Sequence, residues 1–204
     1  MIIIGVTMVM PVEESAPYER MVQMSVMISD GSGHGSGVFV GPNMIATAGH
    51  IIDMVPTYVQ LSDGTQLEIE AMWRHPEYDV GFVWVQGSHE YARFGDLPEL
   101  GDTIYHVGTP LDMEFNHSLL RGIVSYIGRD LNPWLDTIQV DAWGAPGCSG
   151  GPVFNEAGEL IALVVAGPTR VGACAVICES VEHIREAYGQ AYPETAIIKP
   201  CETF

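Results

Sequence analysis

The stretch "GAPGCSGGPVFNEAGELIALVVAG", Gly144 to Gly167, decides how the chain is read. It sets two candidate nucleophiles side by side, Cys148 and Ser149, and crowds them with glycine and proline. Gly147-Cys148-Ser149-Gly150-Gly151 fits G-x-S-x-G, a nucleophile elbow that needs a strand before it, a helix after it, and its acid and histidine downstream. Here Pro152 and an apolar run that reads as a strand follow. No aspartate occurs after Ser149, and the only later histidine is His183. The elbow fails on context, and the alternating βαβ architecture that carries it fails with it.

Outward from this stretch the chain keeps a strand–turn rhythm. "GSGVFV" (Gly35–Val40) and "MIATAGHII" (Met44–Ile52) flank a Gly-Pro-Asn turn, which predicts a hairpin whose second strand ends near His50. Asp63-Gly64 lies between the alternating halves of "TYVQLSDGTQLEIEAMWRH", a second hairpin signal. "DVGFVWV" (Asp79–Val85) is apolar at nearly every position, so both of its faces are expected to be buried. The polar stretch Gln86–Asp102 reads as a linker between two halves. Beyond it "TIYHVG", "LLRGIVSYIG", "DTIQVDAW", "GPVFNEAGELIALVVAG" and "GACAVICES" read as strands. Only "SVEHIREAYGQAY" reads as a helix, capped by Ser180, with Val181, Ile184 and Tyr188 on one face. The class is all-β with two small antiparallel barrels and a short C-terminal helix. The divisions are an N-terminal arm at 1–20, a first barrel at 21–90, a second at 91–179, and the helix and tail at 180–204, the barrels together making one domain.

Composition bounds the function. The chain has 204 residues, 47% of them hydrophobic, with 23 Gly and 13 Pro, which suits many short strands and tight turns. Its net charge is −18, and Lys199 is its one lysine. Such a chain repels phosphate backbones, so no nucleic-acid partner is expected. The opening "MIIIGVTMVMP" is too short to span a bilayer, follows no basic residue and carries no small-residue cleavage site, so it reads as a strand or packed arm. No membrane partner is expected. The compartment stays open, leaning intracellular, and so does the oligomeric state. Cys148, Cys174, Cys178 and Cys201 permit disulfides without showing them. Cys174 and Cys178 on one strand would stand about 13 Å apart, too far to bridge. Free thiols are the default reading. Cys174, Cys178 and His183 match no common zinc spacing, and no metal or cofactor is expected.

A serine is a weak nucleophile until a base takes its proton and a third group orients that base. The oxyanion then formed needs backbone N–H donors, which tight Gly-rich turns supply. His50 at a strand end, Asp79 opening a buried strand, and Ser149 follow the order His…Asp…Ser. In a two-barrel chain this puts base and acid on the first barrel and the nucleophile on the second, so that they meet at the cleft. Asp53, Asp63 and Glu77 are rival carboxylates. His34, His75, His89, His106, His117 and His183 belong to no constellation and read as surface or turn residues.

"TAGH", "YDVGFVWV" and "GCSGGPVF" resemble the histidine, aspartate and serine segments of the trypsin-like serine proteases. "GSGVFVGPNMIATAGHI", "RFGDLPELGDTIYHVGTPL", "RGIVSYIGR", "IQVDAWGAPGCSGGPVFNEAGELIALV" and "GACAVI" follow the HtrA (DegP-like) branch in order, over residues 33–178. The resemblance implies two six-stranded barrels and a serine endopeptidase acting on protein or peptide substrates. It implies that the nucleophile is Ser149, the residue before Gly-Gly-Pro, with an oxyanion hole from the Gly147 and Ser149 amides. It also implies a specificity pocket walled by Trp143, Gly144 and Ala145 on one side and by Val164, Val165 and Ala166 on the other; Trp143 reads equally as barrel filler. Three departures stand out. Cys148 replaces the usual Asn or Asp, which removes the carboxylate that a newly cut N-terminus would pair with. Val164 or its neighbours replace a polar residue, which predicts one partner fewer for Asp79. The chain is read as lacking PDZ domains. The alternatives are a catalytically silent binding module on a protease fold and a self-processing viral or phage assembly component.

Overall fold

The computed structural model describes residues 17–167 and 175–191, with the backbone of 197–198. Helix α1 (Pro17–Met24) leads into β1 (Ser25–Ser29), β2 (His34–Gly41) and β3 (Met44–Ala48). A one-turn helix α2 (Gly49–Asp53) follows, then β4 (Tyr58–Gln60), β5 (Gln66–Arg74) and β6 (Val80–Val85). β5 pairs with both β4 and β6, which closes a barrel in the order β5-β4-β1-β2-β3-β6. The second barrel is built from β7 (Thr103–Gly108), β8 (Ser118–Leu131), β9 (Trp134–Val140), β10 (Pro152–Phe154), β11 (Leu160–Ala166) and β12 (Val176–Ser180). It closes in the order β10-β11-β12-β9-β8-β7. Helix α3 (Val181–Gln190) follows, and β13 (Ile197–Ile198) adds to β5. All named pairings are antiparallel, as the strand–turn rhythm of the sequence requires.

Each barrel has its own apolar filling, and a third cluster lies between them. Ile28, Phe39, Ile45 and Val83 pack inside the first barrel. Ile104, Val124, Ile138 and Ile161 pack inside the second. Met21 and Met24 of α1, Val38 and Phe82 of the first barrel, Phe154 and Leu163 of the second, and Ile184 of α3 form the seam. β6 is buried at every position, which explains its unbroken apolar run: one face fills a barrel and the other meets the seam. The stretch 86–102 crosses between barrels without strand structure of its own. Ala92 N–H donates to Phe39 O (2.9 Å) and Gly95 N–H to Leu160 O (2.9 Å), so it is stitched to both.

The structure corrects the sequence reading at its helices. α3 begins as expected, with Ser180 Oγ accepting from His183 N–H (3.4 Å). Its buried face is Val181, Ile184 and Ala187, while Tyr188 stays exposed, edge-on to Phe82 and Phe94. α1 and α2 are additional. α1 has eight residues and buries two methionines, and α2 is a single turn. Neither is long enough to print a helical period, and helices this short exist only through packing. Two histidines are also not where the sequence suggested: His75 and His106 are almost wholly buried.

The seam is held by polar bonds around Ser36. Its N–H donates to Ser149 O (2.7 Å) and its hydroxyl to Gly147 O (2.8 Å). Thr47 Oγ1 donates to Ser36 O (2.7 Å), and Thr109 N–H donates to Ser36 Oγ (3.0 Å). Gly150, at φ +81°, lies against this knot, and a Cβ there would run into the Ser36 carbonyl and the Thr47 hydroxyl. Gly31, at φ +91°, has open space around the same position. Gly150→Ala is expected to cost about 2–4 kcal/mol, from left-handed strain plus overpacking. Gly31→Ala is expected to cost only the strain, about 1–2 kcal/mol. Urea unfolding of both variants checks the difference.

Candidate active site

The acid and base candidates meet at the end of the first barrel. β3 ends at Ala48, and the turn of α2 carries His50 beside Asp79, the residue before β6. His50 N–H donates to Asp79 Oδ1 (2.8 Å), and His50 Nδ1–H donates to Asp79 Oδ2 (2.8 Å). The carboxylate therefore grips both backbone and ring of one residue, which sets the imidazole tautomer and leaves Nε2 as the basic nitrogen. Gly49 permits this approach, since a Cβ there would meet Asp79 Oδ1 at 3.0 Å. Asp79 is 8% exposed. Burial pushes its carboxyl upward, but the bonds and charge from His50 and the Trp134 indole outweigh this and hold it below the usual carboxylate range. The rivals have other work: Asp53 pairs with Arg74 (3.2 Å), Asp63 accepts from Thr65 N–H (2.8 Å), and Glu77 makes no bond to His50 among the described residues.

The expectation of one partner fewer for Asp79 is overturned. Val164 turns into the core of the second barrel, and Val165 turns to the cleft without a polar atom to offer. Trp134, the first residue of β9, reaches across from the second barrel instead and donates Nε1–H to Asp79 Oδ2 (3.0 Å). Behind them Glu179 of β12, 2% exposed, accepts Asp79 N–H on Oε1 (3.2 Å) and His183 Nδ1–H on Oε2 (2.7 Å). The Glu179 carboxylate raises the His183 pKa. Tyr78 is stacked between His183 (4.1 Å) and His75 (4.6 Å). Reading by motif missed Ser36, Trp134 and Glu179, because none stands in a sequence pattern with the residue it serves.

The nucleophile candidates sit on two successive tight turns. Cys148 N–H donates to Ala145 O (3.0 Å) across a turn with Pro146 second and Gly147 third, at φ +95°. This is the residue choice a type II turn demands. Gly151 N–H donates to Cys148 O (2.9 Å) across the next turn, with Gly150 third. Leu111 N–H holds Pro146 O (2.7 Å), so the Gly147 N–H points the opposite way across its planar peptide. Among the described residues the Gly147 and Ser149 amides have no acceptor. Ser149 is half-buried and its hydroxyl has no partner there either. Cys148 is 1% exposed and packs into the core of the second barrel, where burial pushes its thiol up. The turns thus aim Ser149 outward and Cys148 inward. Gly150 backs onto Ala48, which brings this loop against the segment that bears His50.

A cavity of about 680 Å³ adjoins the dyad and is lined by His50, Tyr78, Asp79, Trp134, Val165 and Glu179 among others. Trp143 is 45% exposed, so it is not barrel filler. Gly144 lies against Val176, and Ala145 is half-buried at the start of the first turn. Cys178 is a free, buried thiol and His183 is engaged by Glu179, while Cys174 and Cys201 lie outside the described residues. No metal-binding group of three occurs among the described residues, and no helix there is long and apolar enough to cross a membrane.

The protein-family model for the trypsin-like peptidase domain matches residues 35–163. The chain belongs to that family. Relatives of this trypsin-like domain include a protein named "Probable periplasmic serine endoprotease DegP-like" from Pseudomonas putida (strain GB-1). It is 33% identical over 136 residues, 63% of this chain and 28% of the relative. A serine protease Do-like HtrA of Bacillus subtilis (strain 168) is 30% identical over 148 residues, 65% of this chain and 33% of the relative. The trypsin-like domain thus spans roughly a third or less of these relatives' length. Among solved structures, an HtrA-type protease with a tripeptide shares the fold at TM-score 0.76 and 21% identity, covering 85% of this chain and 62% of that one.

Under the Ser149 loop of the trypsin-like domain lies His106. Its Nδ1–H donates to Pro152 O (3.1 Å), and its buried Nε2 has no partner among the described residues. Burial depresses its pKa to about 4. A histidine kept neutral in this way stabilises the fold fully above its unfolded value of about 6.5. That contribution declines as pH falls toward about 4. His106→Gln is expected to flatten the dependence of unfolding free energy on pH in this window, measured by urea unfolding at stepped pH.

Proposed function

We propose that this chain is a serine endopeptidase in which Ser149 is the nucleophile, His50 the general base and Asp79 the group that orients it. The observation that carries the reading is the double grip of Asp79 on His50, which presents Nε2 as a base beside a loop that turns Ser149 outward. In the first half-reaction Ser149 Oγ attacks the substrate carbonyl carbon and its proton passes to Nε2. Asp79 stabilises the imidazolium, and the Gly147 and Ser149 amides receive the oxyanion. The proton then passes from Nε2 to the leaving amine, which departs and leaves an acyl-enzyme. Water loses a proton to His50, attacks the ester, and releases the acid with Ser149 restored.

Cys148 takes no part. Its side chain faces the core, and its raised pKa keeps it a thiol. Ser149→Ala is expected to lower peptide hydrolysis by at least about a thousandfold and to abolish labelling by a fluorophosphonate. Cys148→Ala is expected to keep most of both. Activity in Ser149→Ala together with its loss in Cys148→Ala would reverse the assignment.

The residue before the cut bond is taken between Trp143, Gly144 and Ala145 on one side and Val165 and Ala166 on the other, with Val164 packed behind. None of these bears a charge, so a Lys or Arg there would be desolvated without a partner. Small and medium apolar side chains are expected to be preferred, with modest discrimination among them. Trp143→Ala is expected to admit Phe and Tyr. A peptide-library cleavage profile at low and high salt checks this; dominance of Arg or Lys that persists at high salt would remove the pocket assignment.

A further inference from the structure

Asp79 Oδ2 receives two donors, His50 Nδ1–H at 2.8 Å and Trp134 Nε1–H at 3.0 Å, while Oδ1 receives the His50 amide. The first barrel supplies two of these three bonds. The third comes from the start of β9, on the hairpin that joins β8 to β9 in the second barrel. The flanking residues Leu131, Asn132, Pro133, Leu135 and Asp136 are exposed, whereas the Trp134 ring packs against the cluster that holds Ile51, Ile52 and Val165. An indole N–H only donates, so this contact favours the carboxylate form. It also holds Oδ2 on the side of the ring where Nδ1–H arrives. Without a second donor, the carboxylate turns more freely about its Cβ–Cγ bond and the imidazole loses its fixed plane. Val165, the β11 residue on the same cavity, has nothing to put in place of that donor.

We infer that Trp134 is a positioning residue for the catalytic aspartate, and that the β8–β9 hairpin is thereby part of the catalytic apparatus. Trp134 acts through Asp79 and does not touch the reacting atoms. The inference rests on the peptidase reading above.

Trp134→Phe keeps most of the ring and deletes the donor. The expected result is a kcat lower by about 10- to 100-fold, the worth of one hydrogen bond to a charged group. KM is expected to stay within about twofold and the melting temperature close to wild type, since Trp134 does not touch substrate, its packing is retained, and the bond counts most when the imidazolium forms in the transition state. In proton NMR the deshielded His50 Nδ1 proton is expected to shift and broaden in the variant. In the otherwise wild-type chain, the Trp134 indole proton is expected to move when Asp79→Asn removes the charge it faces. This second measurement stands even if Trp134→Phe fails to fold. Wild-type kcat in Trp134→Phe, or a lowered kcat with an unchanged His50 proton, overturns the inference while leaving the peptidase reading intact. A Trp134 indole proton indifferent to Asp79→Asn also overturns it. A wild-type chain that neither cleaves peptides nor reacts with a fluorophosphonate removes the peptidase reading, and the catalytic role of Trp134 with it.

Discussion

A carboxylate taken out of water must be given donors, and Asp79 is the place where this chain meets that demand. Its side chain is 9% exposed, and burial by itself pushes it toward the protonated form. The donors that keep it charged come from both barrels: the amide and ring of His50 from the first, the indole of Trp134 from the second. Even its backbone N–H is taken by Glu179 from the second barrel. The charge of one residue therefore ties together elements far apart in sequence, and the set of donors to Asp79 is complete only when the barrels are docked.

The loop that carries Ser149 obeys a matching constraint with opposite chemistry. Where Asp79 needs donors, the loop must leave donors free. Two turns in succession, each with a glycine of positive φ at its third position, spend the amides of Cys148 and Gly151 on turn closure. Among the described residues the Gly147 and Ser149 amides are left without an acceptor. Ser36 and Leu111 then hold the Gly147 and Pro146 carbonyls, so that the open amides keep their direction. Rigidity at this point would serve the proposed oxyanion site, since such a site works only if its dipoles are already aimed before charge develops.

Buried histidines add a cost at low pH. His106 has one ring nitrogen satisfied by Pro152 O and the other without a partner among the described residues, and its low pKa reflects how poorly a cation would fit there. It sits directly beneath the turns that carry Ser149: a Cβ on Gly151 would meet its ring, and a Cβ on Gly108 would meet both its ring and the Cys148 backbone. Protonation of His106 in acid would therefore put a charge directly beneath the loop that carries Ser149.

Much of this was legible in the chain itself. Strand alternation, the Asp63-Gly64 turn and the wholly apolar run of β6 mark a barrel, because local periodicity reports which faces are buried. The turns around Ser149 were legible too, because Pro-Gly and Gly-Gly prescribe their own dihedrals. His50 and Asp79 stood out through the flanks they share with a known family, and the structure brings them into contact. Trp134, Glu179 and Ser36 were not legible, nor were the buried states of His75 and His106. Each depends on a partner 55 to 111 residues away or on a barrel wall, and no local pattern encodes such a distance. Sequence determined where the strands, turns and reactive side chains lie along the chain; only the closure and docking of two barrels decided which groups share a buried charge, since that depends on desolvation and direction across the seam.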